Sequence, residues 1–148
     1  MTTTTPTVDG RVIGLAHYAS RAALERILAR TGNTFNQLVT LRLVAVGGDW
    51  VERDRLVEGV TGSLKIAESI VQDTIDELTT ANLVEEAPAE KPRLRLTEAG
   101  QERYERIATA TGEVAARIYA GVPAEDLATA GRVLTLITER ANAELARA

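Results

Sequence analysis

Residues 83–96, LVEEAPAEKPRLRL, predict a β-hairpin and thereby decide the fold. The stretches 83–86 and 93–96 are short and partly apolar, and Arg-Leu-Arg-Leu alternates as a half-buried strand does. Residues 87–92 lie between them and contain Pro88 and Pro92, and proline is excluded from strand interiors. The two stretches are therefore expected to pair across a proline-containing loop.

Helices are predicted on both sides of this hairpin, because apolar residues recur there at three- and four-residue steps. We expect Thr97 to cap the helix that follows the hairpin, and Thr61-Gly62-Ser63 to end the third helix. The predicted helices span about 12–29, 35–46, 52–60, 67–81, 98–119 and 124–145. The order α-α-α-α-β-β-α-α predicts a mainly α protein with a small β-hairpin (α+β), in which a helix-turn-helix is followed by a wing.

The composition limits the chemistry open to this chain of 148 residues. It has no cysteine and one histidine, so thiol chemistry and His-rich metal sites are excluded, and no metal or cofactor is expected. No apolar run approaches the roughly 18 residues of a membrane-spanning helix, and the Thr-rich start lacks the features of a signal peptide. We therefore expect a cytoplasmic protein that makes no membrane contact. Because acidic residues in a helical protein usually lie on solvated faces, no enzymatic activity is expected.

Three stretches around the predicted helix-turn-helix carry a family resemblance. They are LRLV at residues 41–44, IDELTTANLV at 75–84 and LTEAG at 96–100. In these stretches the chain resembles the bacterial MarR (multiple antibiotic resistance regulator) family of winged-helix transcriptional regulators, and the resemblance runs from about residue 12 to 145. The chain departs from the family in its wing, which is reduced to Glu90-Lys91-Pro92-Arg93, and in a longer expected turn through residues 62–66.

The resemblance implies a homodimer whose first and last helices interlock. It divides the chain into a disordered tail (1–11), a dimerisation region (12–33 and 101–148) and a DNA-binding winged helix-turn-helix (34–100). The last helices carry apolar stripes, and a chain this short has few other elements that could cover them, which favours burial between two subunits. Ordinary packing within the chain remains the alternative. The residues predicted to dimerise are Ile13, Ile118, Leu127, Leu134, Ile137 and Leu145.

The function implied is that of a repressor that binds double-stranded DNA at a near-palindromic operator. On the fourth helix we expect Ser69, Gln72, Asp73 and Asp76 to face outward, away from Ile70, Val71, Ile75 and Leu78. Basic residues flanking the motif are expected to bind phosphates, although solvated surface charges are the alternative for each. The residues predicted to bind DNA are Arg42, Arg53, Arg55, Lys65, Ser69, Gln72, Lys91, Arg93 and Arg95.

The charge of the same segment argues against DNA binding. The whole chain has a net charge of −4, and residues 49–86 contain ten acidic residues and three basic ones. DNA carries about one negative charge per 1.7 Å of helix axis and would repel such a surface, unless the acids lie away from the groove or accept from a cytosine amino group. The alternative function is therefore a winged-helix dimer that has lost DNA binding and acts as a protein-interaction module.

Many MarR-family proteins are released from DNA by small aromatic anions, which implies an effector site between the dimerisation helices and the winged domain. Aromatic residues make up only 3% of the chain, yet several lie near this predicted junction. Plain packing is the alternative explanation for those on a helix face. The residues predicted to line an effector site are His17, Tyr18, Arg21, Phe35 and Trp50.

Overall fold

The computed structural model describes residues 4–147, and within them the chain forms six α-helices and three β-strands. The mainly helical α+β class predicted from the sequence is confirmed. In chain order the elements are α1 (Gly10–Leu28), α2 (Phe35–Val46), β1 (Val51–Glu52), α3 (Arg53–Leu64), α4 (Glu68–Thr80), β2 (Val84–Ala87), β3 (Arg93–Leu96), α5 (Glu98–Tyr119) and α6 (Ala124–Leu145).

Helix α1 begins at Gly10, slightly earlier than predicted, because Asp9 caps it. The Asp9 carboxylate accepts a hydrogen bond from the Val12 N–H at 2.8 Å, which satisfies one of the unpaired donors of the first turn. Residues 4–8 form neither helix nor strand. Residues 1–3 of the predicted disordered tail lie outside the described residues.

Helix α3 continues through Thr61-Gly62-Ser63, where the sequence predicts a turn, and ends at Leu64. Glycine inside a helix costs only about 1 kcal/mol relative to alanine, and the extra turn lets Leu64 pack against the core. The helix stops at Lys65, whose backbone is left-handed with a φ of 56°. The turn to α4 is therefore confined to residues 65–67, and the prediction of a longer turn is wrong.

The predicted hairpin is present as β2 and β3, but it belongs to a three-stranded antiparallel sheet with the order β1-β3-β2. In the hairpin Val84 pairs with Leu96 and Ala87 with Arg93. Strand β1 pairs with the other side of β3, with Val51 opposite Leu94. The sequence did not predict β1, because a two-residue strand is too short to show any periodicity.

The main core lies between α2, α3, α4 and the sheet, and its side chains are almost wholly apolar. Strand β3 contributes Leu94, which is completely buried, while its neighbours Arg93 and Arg95 are exposed, as the predicted alternation requires. This core positions α4 and the hairpin relative to each other. Its buried members are Leu41, Val44, Leu56, Val57, Val60, Val71, Ile75, Leu78, Leu83, Val84 and Leu94.

The start of α5 is joined to the end of α4 through Thr97. The Thr97 hydroxyl donates to the Asn82 carbonyl at 2.7 Å and accepts from the Gly100 N–H at 2.9 Å, and the Thr97 N–H donates to the Leu83 carbonyl. Gly100 is required here, because a Cβ at this position would lie 1.9 Å from the Leu83 carbonyl oxygen. The LTEAG stretch therefore specifies a close approach of two backbones, with Thr97 as the predicted cap.

The chain divides after Glu113 into two compact units. In the second unit α6 begins after Pro123, and none of its residues is buried. Its large apolar side chains are between 37% and 71% exposed, far more than is usual for a helix with this many leucines. The predicted dimerisation residues Ile118, Leu127, Leu134, Ile137 and Leu145 are all among the exposed residues, and Ile13 on α1 is half-buried.

Candidate nucleic-acid interface

Helices α3 and α4 form the helix-turn-helix, and α4 turns one clear face to the core. The outward positions Ser69, Asp73 and Asp76 are exposed, as predicted. Ile70 is also exposed, at 45% of its surface, and the prediction that it faces inward is wrong. Thr74 takes the core position instead, because its hydroxyl can donate to the Ile70 carbonyl at 2.8 Å. The buried residues of α4 are Val71, Thr74, Ile75 and Leu78.

The two helices of this motif lack the side-chain caps found elsewhere in the first unit. Asp9 caps α1, Thr34 caps α2 and Thr97 caps α5. By contrast, neither Glu52 before α3 nor Ala67 before α4 accepts a capping hydrogen bond. The first N–H groups of α3 and α4 are therefore not capped by a side chain, and N–H groups at helix N-termini are common donors to DNA phosphates.

Arg53, a predicted DNA contact, is instead the centre of a cluster within the chain. Its Nε donates to Gln72 Oε1 at 2.8 Å, and its Nη2 lies 3.0 Å from Asp76 Oδ1. Its Nη1 lies 3.2 Å from Glu86 Oε2. The Arg53 side chain is only 17% exposed and joins the start of α3 to α4 and to β2. It therefore orients Gln72 and offsets part of the charge of two acids, Asp76 on α4 and Glu86 on β2.

The wing carries two kinds of cation. Arg95 forms an ion pair with Glu85 and stacks over the Trp50 ring, with its guanidinium carbon 4.4 Å from the ring centroid. Arg93 lies 5.9 Å from the same centroid. Within residues 4–147, Arg93 and Lys91 have no ion-pair partner, and both are exposed. The wing thus presents two free positive charges and a third that is held against an aromatic ring.

The remaining predicted DNA contacts, Arg42, Arg55, Lys65 and Ser69, are all exposed. No ion pair involves the three cations among them in the part of the chain that the structure describes. The ion pairs of Arg53 do not change the acidic excess of residues 49–86, because Arg53 is already counted among its three basic residues, but Arg95 from outside the segment offsets one acid, Glu85. The charges that remain unneutralised on the outward side of α4 include Glu68 and Asp73.

The predicted effector residues separate into three places. Arg21 lies over the Phe35 ring, with its guanidinium carbon 4.2 Å from the centroid, and both residues line a groove of about 370 Å³ between α1 and the start of α2. His17 and Tyr18 are exposed and pack edge to face, with centroids 5.5 Å apart. Trp50 is not in this groove, because it lies under the wing arginines. Of the five predicted effector residues, the structure therefore brings only Arg21 and Phe35 together in this groove.

Sequence reasoning missed two features of this surface. The first is the Arg53 cluster, whose acceptors are 19 to 33 residues away in the chain, so no local sequence pattern predicts it. The exposure of Ile70 was missed because Ile70 and Thr74 both fit a helical stripe, and hydrophobicity alone favoured the isoleucine. The signal that could have decided between them is the ability of threonine to satisfy its hydroxyl within the helix.

Comparison with known proteins identifies the fold. CouR from Rhodococcus jostii RHA1, bound to p-coumaroyl-CoA, superposes with a TM-score of 0.74 at 19% identity, over 87% of this chain and 90% of that one. NadR in complex with 4-hydroxyphenylacetate superposes with a TM-score of 0.72 at 20% identity, over 93% of this chain and 98% of that one. A mutant MarR from E. coli complexed with operator DNA superposes with a TM-score of 0.72 at 17% identity, over 86% of this chain and 91% of that one.

A MarR-family transcriptional regulator from Rhodococcus sp. RHA1 superposes with a TM-score of 0.73 at 19% identity, over 87% of this chain and 91% of that one. No protein-family model matches the chain, and no curated protein matches it in sequence. The chain therefore has the fold of the MarR-family winged-helix regulators. Among the helices that the structure describes, none has the length and apolarity needed to span a membrane.

Proposed function

We propose that the protein is a MarR-family transcriptional regulator, a repressor that binds a near-palindromic DNA operator as a homodimer. The observation that carries this proposal is the sequence of α3, a three-residue turn, α4 and a hairpin whose Lys91 and Arg93 are exposed and unpaired. A helix of this kind fits the major groove, and a basic wing reaches the flanking backbone or minor groove. The operator complex of the similarly folded MarR protein supports the same use of the fold.

The electrostatic argument against DNA binding is weakened by the exposed cations around the helix-turn-helix and the wing. Phosphate attraction depends on the charges that remain free near the DNA, rather than on the net charge of the chain. Arg53 pairs with Asp76 and Glu86, and Arg95 pairs with Glu85. Among residues 4–147, no ion pair involves the exposed cations Arg42, Arg55, Lys65, Lys91 and Arg93, which can therefore contact phosphates.

The exposed apolar side chains of α6 support the homodimer. A chain that stayed monomeric would keep Leu134, Ile137 and Leu145 between 37% and 71% exposed. Complete burial of such a side chain from full exposure contributes about 1.5–3 kcal/mol, and covering the surface still exposed contributes the corresponding fraction. A second copy covers them with the same surface, as in an isologous interface. Binding as a dimer also places two recognition helices on one duplex about one helical turn apart, which is the reason for proposing a near-palindromic operator.

The groove beside Arg21 and Phe35 supports an effector site for a small aromatic anion. Arg21 supplies a cation that is also paired with Glu25 at 3.1 Å, and Phe35 supplies an aromatic face. The ligands bound in two similarly folded structures, p-coumaroyl-CoA and 4-hydroxyphenylacetate, are aromatic. An effector bound here lies beside the start of α2, so it can bias the position of the winged domain.

DNA binding is tested by gel shift against the chain's own upstream region at two salt concentrations. We expect tight, salt-sensitive binding to a near-palindromic site. Arg93→Gln removes two phosphate contacts from a dimer, so the slope of log K against log salt becomes shallower by about 2. The control is Arg106→Gln on α5, which makes the same charge change on a side chain outside the motif and leaves the slope unchanged.

The competing function is a winged-helix dimer that acts as a protein-interaction module, and the acids Glu68 and Asp73 on the outward side of α4 favour it. The same gel shift separates the two functions. Absence of binding to any duplex at low salt, together with a stable protein partner recovered by pull-down, establishes the competing function and rejects the regulator.

The dimer is tested by Leu134→Asp in analytical ultracentrifugation. Because Leu134 is already 40% exposed in the single chain, the substitution leaves folding nearly unchanged, but it buries a charge in the proposed interface and is expected to give monomers. Ala143→Asp places the same charge on the opposite side of α6 and is expected to remain dimeric. A Leu134→Asp variant that sediments like the wild-type dimer contradicts the proposed interface.

A further inference from the structure

Ile70 is the one large apolar residue of α4 that the core leaves outside. Its side chain is 45% exposed, whereas Val71, Ile75 and Leu78 on the same helix are at most 1% exposed. It is also absent from the side chains that pack against the main core. A single exposed apolar residue is common on protein surfaces, so its meaning depends on where it lies.

Ile70 lies in the first turn of α4, directly after Ser69 and one turn before Asp73 and Thr74. The N-terminal residues of a recognition helix are those that reach the base edges in the major groove. Ile70 and its exposed neighbours Ser69 and Asp73 therefore form the part of α4 that meets the bases if the protein docks as a winged-helix regulator.

The side chains of α4 limit which bases this surface can read. Residues 68–80, ESIVQDTIDELTT, contain no Arg, Lys, His or Asn, so the common bidentate contact to guanine is unavailable. Gln72 can read adenine with its amide oxygen and amide nitrogen together, but the bond from Arg53 to its Oε1 at 2.8 Å already fixes how the amide is oriented. Ser69 and Asp73 can each form single hydrogen bonds with base edges, Asp73 as an acceptor from a cytosine amino group, whereas Ile70 is the exposed side chain of α4 that can make apolar contact with the C5-methyl group of thymine.

We infer that Ile70 is a specificity-determining residue, which contacts the C5-methyl group of one thymine in the major groove of each operator half-site. The inference rests on the proposed function as a DNA-binding regulator. Burying the methyl group against Ile70 removes apolar surface from water on both molecules. The operator is therefore read at this position by shape and apolarity, without a hydrogen bond to a cation on α4.

The test begins with selection of bound duplexes from a random-sequence library, followed by replacement of each thymine by deoxyuridine, which removes only the methyl group. We expect one thymine per half-site at which the replacement weakens wild-type binding about fourfold, the value for burial of one methyl group. Replacement in both half-sites weakens it about fifteenfold. Elsewhere in the duplex the replacement has little effect.

Ile70→Ala removes the protein side of the same contact. We expect this variant to bind the selected duplex more weakly than the wild type and to be insensitive to deoxyuridine at the identified position. Val46→Ala truncates another exposed apolar side chain, 70% exposed against 45% for Ile70, at the end of α2; it is the control and keeps the wild-type deoxyuridine profile. Thermal unfolding of both variants verifies that each is folded, since neither side chain is buried.

Two different results overturn the inference. If the wild type binds the selected duplex but no thymine responds to loss of its methyl group, or if Ile70→Ala keeps the full response, the Ile70 contact is rejected while the regulator stands. If selection enriches no sequence and no duplex binds at low salt, the proposed function itself fails, and the inference fails with it.

Discussion

Replacing Arg53 is the perturbation that most directly tests how the helix-turn-helix is held to the wing. Arg53→Met keeps most of the length of the side chain and removes its guanidinium. The change deletes one hydrogen bond to Gln72 and two ion pairs, to Asp76 and Glu86. Arg55→Met on the same helix is the matched control, because Arg55 is exposed and has no ion pair in the described part of the chain.

The magnitude follows from the exposure of the three partners. The Asp76 and Glu86 side chains are 68% and 31% exposed, so water solvates them again when Arg53 is removed, and each pair is worth about 0.2–1 kcal/mol. The bond to Gln72 is better shielded and contributes about 1 kcal/mol. We therefore expect Arg53→Met to lower the free energy of unfolding by about 1.5–3 kcal/mol, and Arg55→Met to change it by less than about 0.5 kcal/mol.

Urea unfolding at low and at high salt measures both the size and the electrostatic part of this loss. Salt screens ion pairs that are partly exposed, so the difference between Arg53→Met and the wild type should shrink as salt is added. A double-mutant cycle with Glu86→Gln should show a coupling of about 0.5 kcal/mol or more. A loss no larger than that of Arg55→Met, or one with no coupling to Glu86, would refute the assignment of Arg53 as the link between α3, α4 and β2.

Two further predictions concern backbone positions. Gly100→Ala should lower the free energy of unfolding by about 3 kcal/mol, because the added Cβ would meet the Leu83 carbonyl. Gly112→Ala on the same helix adds its Cβ in open space and should raise the free energy of unfolding by about 0.5–1 kcal/mol. Equal effects of the two substitutions in thermal unfolding would contradict the close approach. Lys65→Gly should leave the protein as stable as the wild type or up to about 1 kcal/mol more stable, because glycine tolerates the left-handed φ of 56°. In gel shifts the same variant should make the salt slope shallower by about 2, and an unchanged slope would remove Lys65 from the DNA contacts.

The parts of the fold that follow from local signals were predictable from the sequence. Thr97, a residue whose side chain can cap a helix, predicts the start of α5, and the alternation of residues 93–96 predicts β3. Helix α2 also lies at its predicted position, between the cap Thr34 and the glycine pair at 47–48. In each case the residues that determine the element lie within a few positions of it.

The parts that depend on distant residues were not predictable. Helix α3 passes through Gly62 because Leu64 finds a place in a core built by other elements, which outweighs the local turn signal. Strand β1 exists only because β3 offers it hydrogen bonds across more than 40 residues of chain. The candidate site shows the same limit. Arg53 was expected to lie on the surface and contact DNA, but it is only 17% exposed because it pairs with acids on α4 and β2.

The position of β3 in the middle of the sheet affects how much order the wing must gain when it meets DNA. Strand β3 is bonded to β2 on one side and to β1 on the other, and the Arg53 N–H donates to the Pro92 carbonyl at 2.9 Å where β3 begins. Ordering the backbone of a mobile hairpin costs about 1–2 kcal/mol per residue, and at the base of this wing that entropy has already been lost during folding. The wing therefore loses less backbone entropy on binding than a hairpin that is mobile throughout, so more of the attraction between the wing and a nucleic acid contributes to affinity.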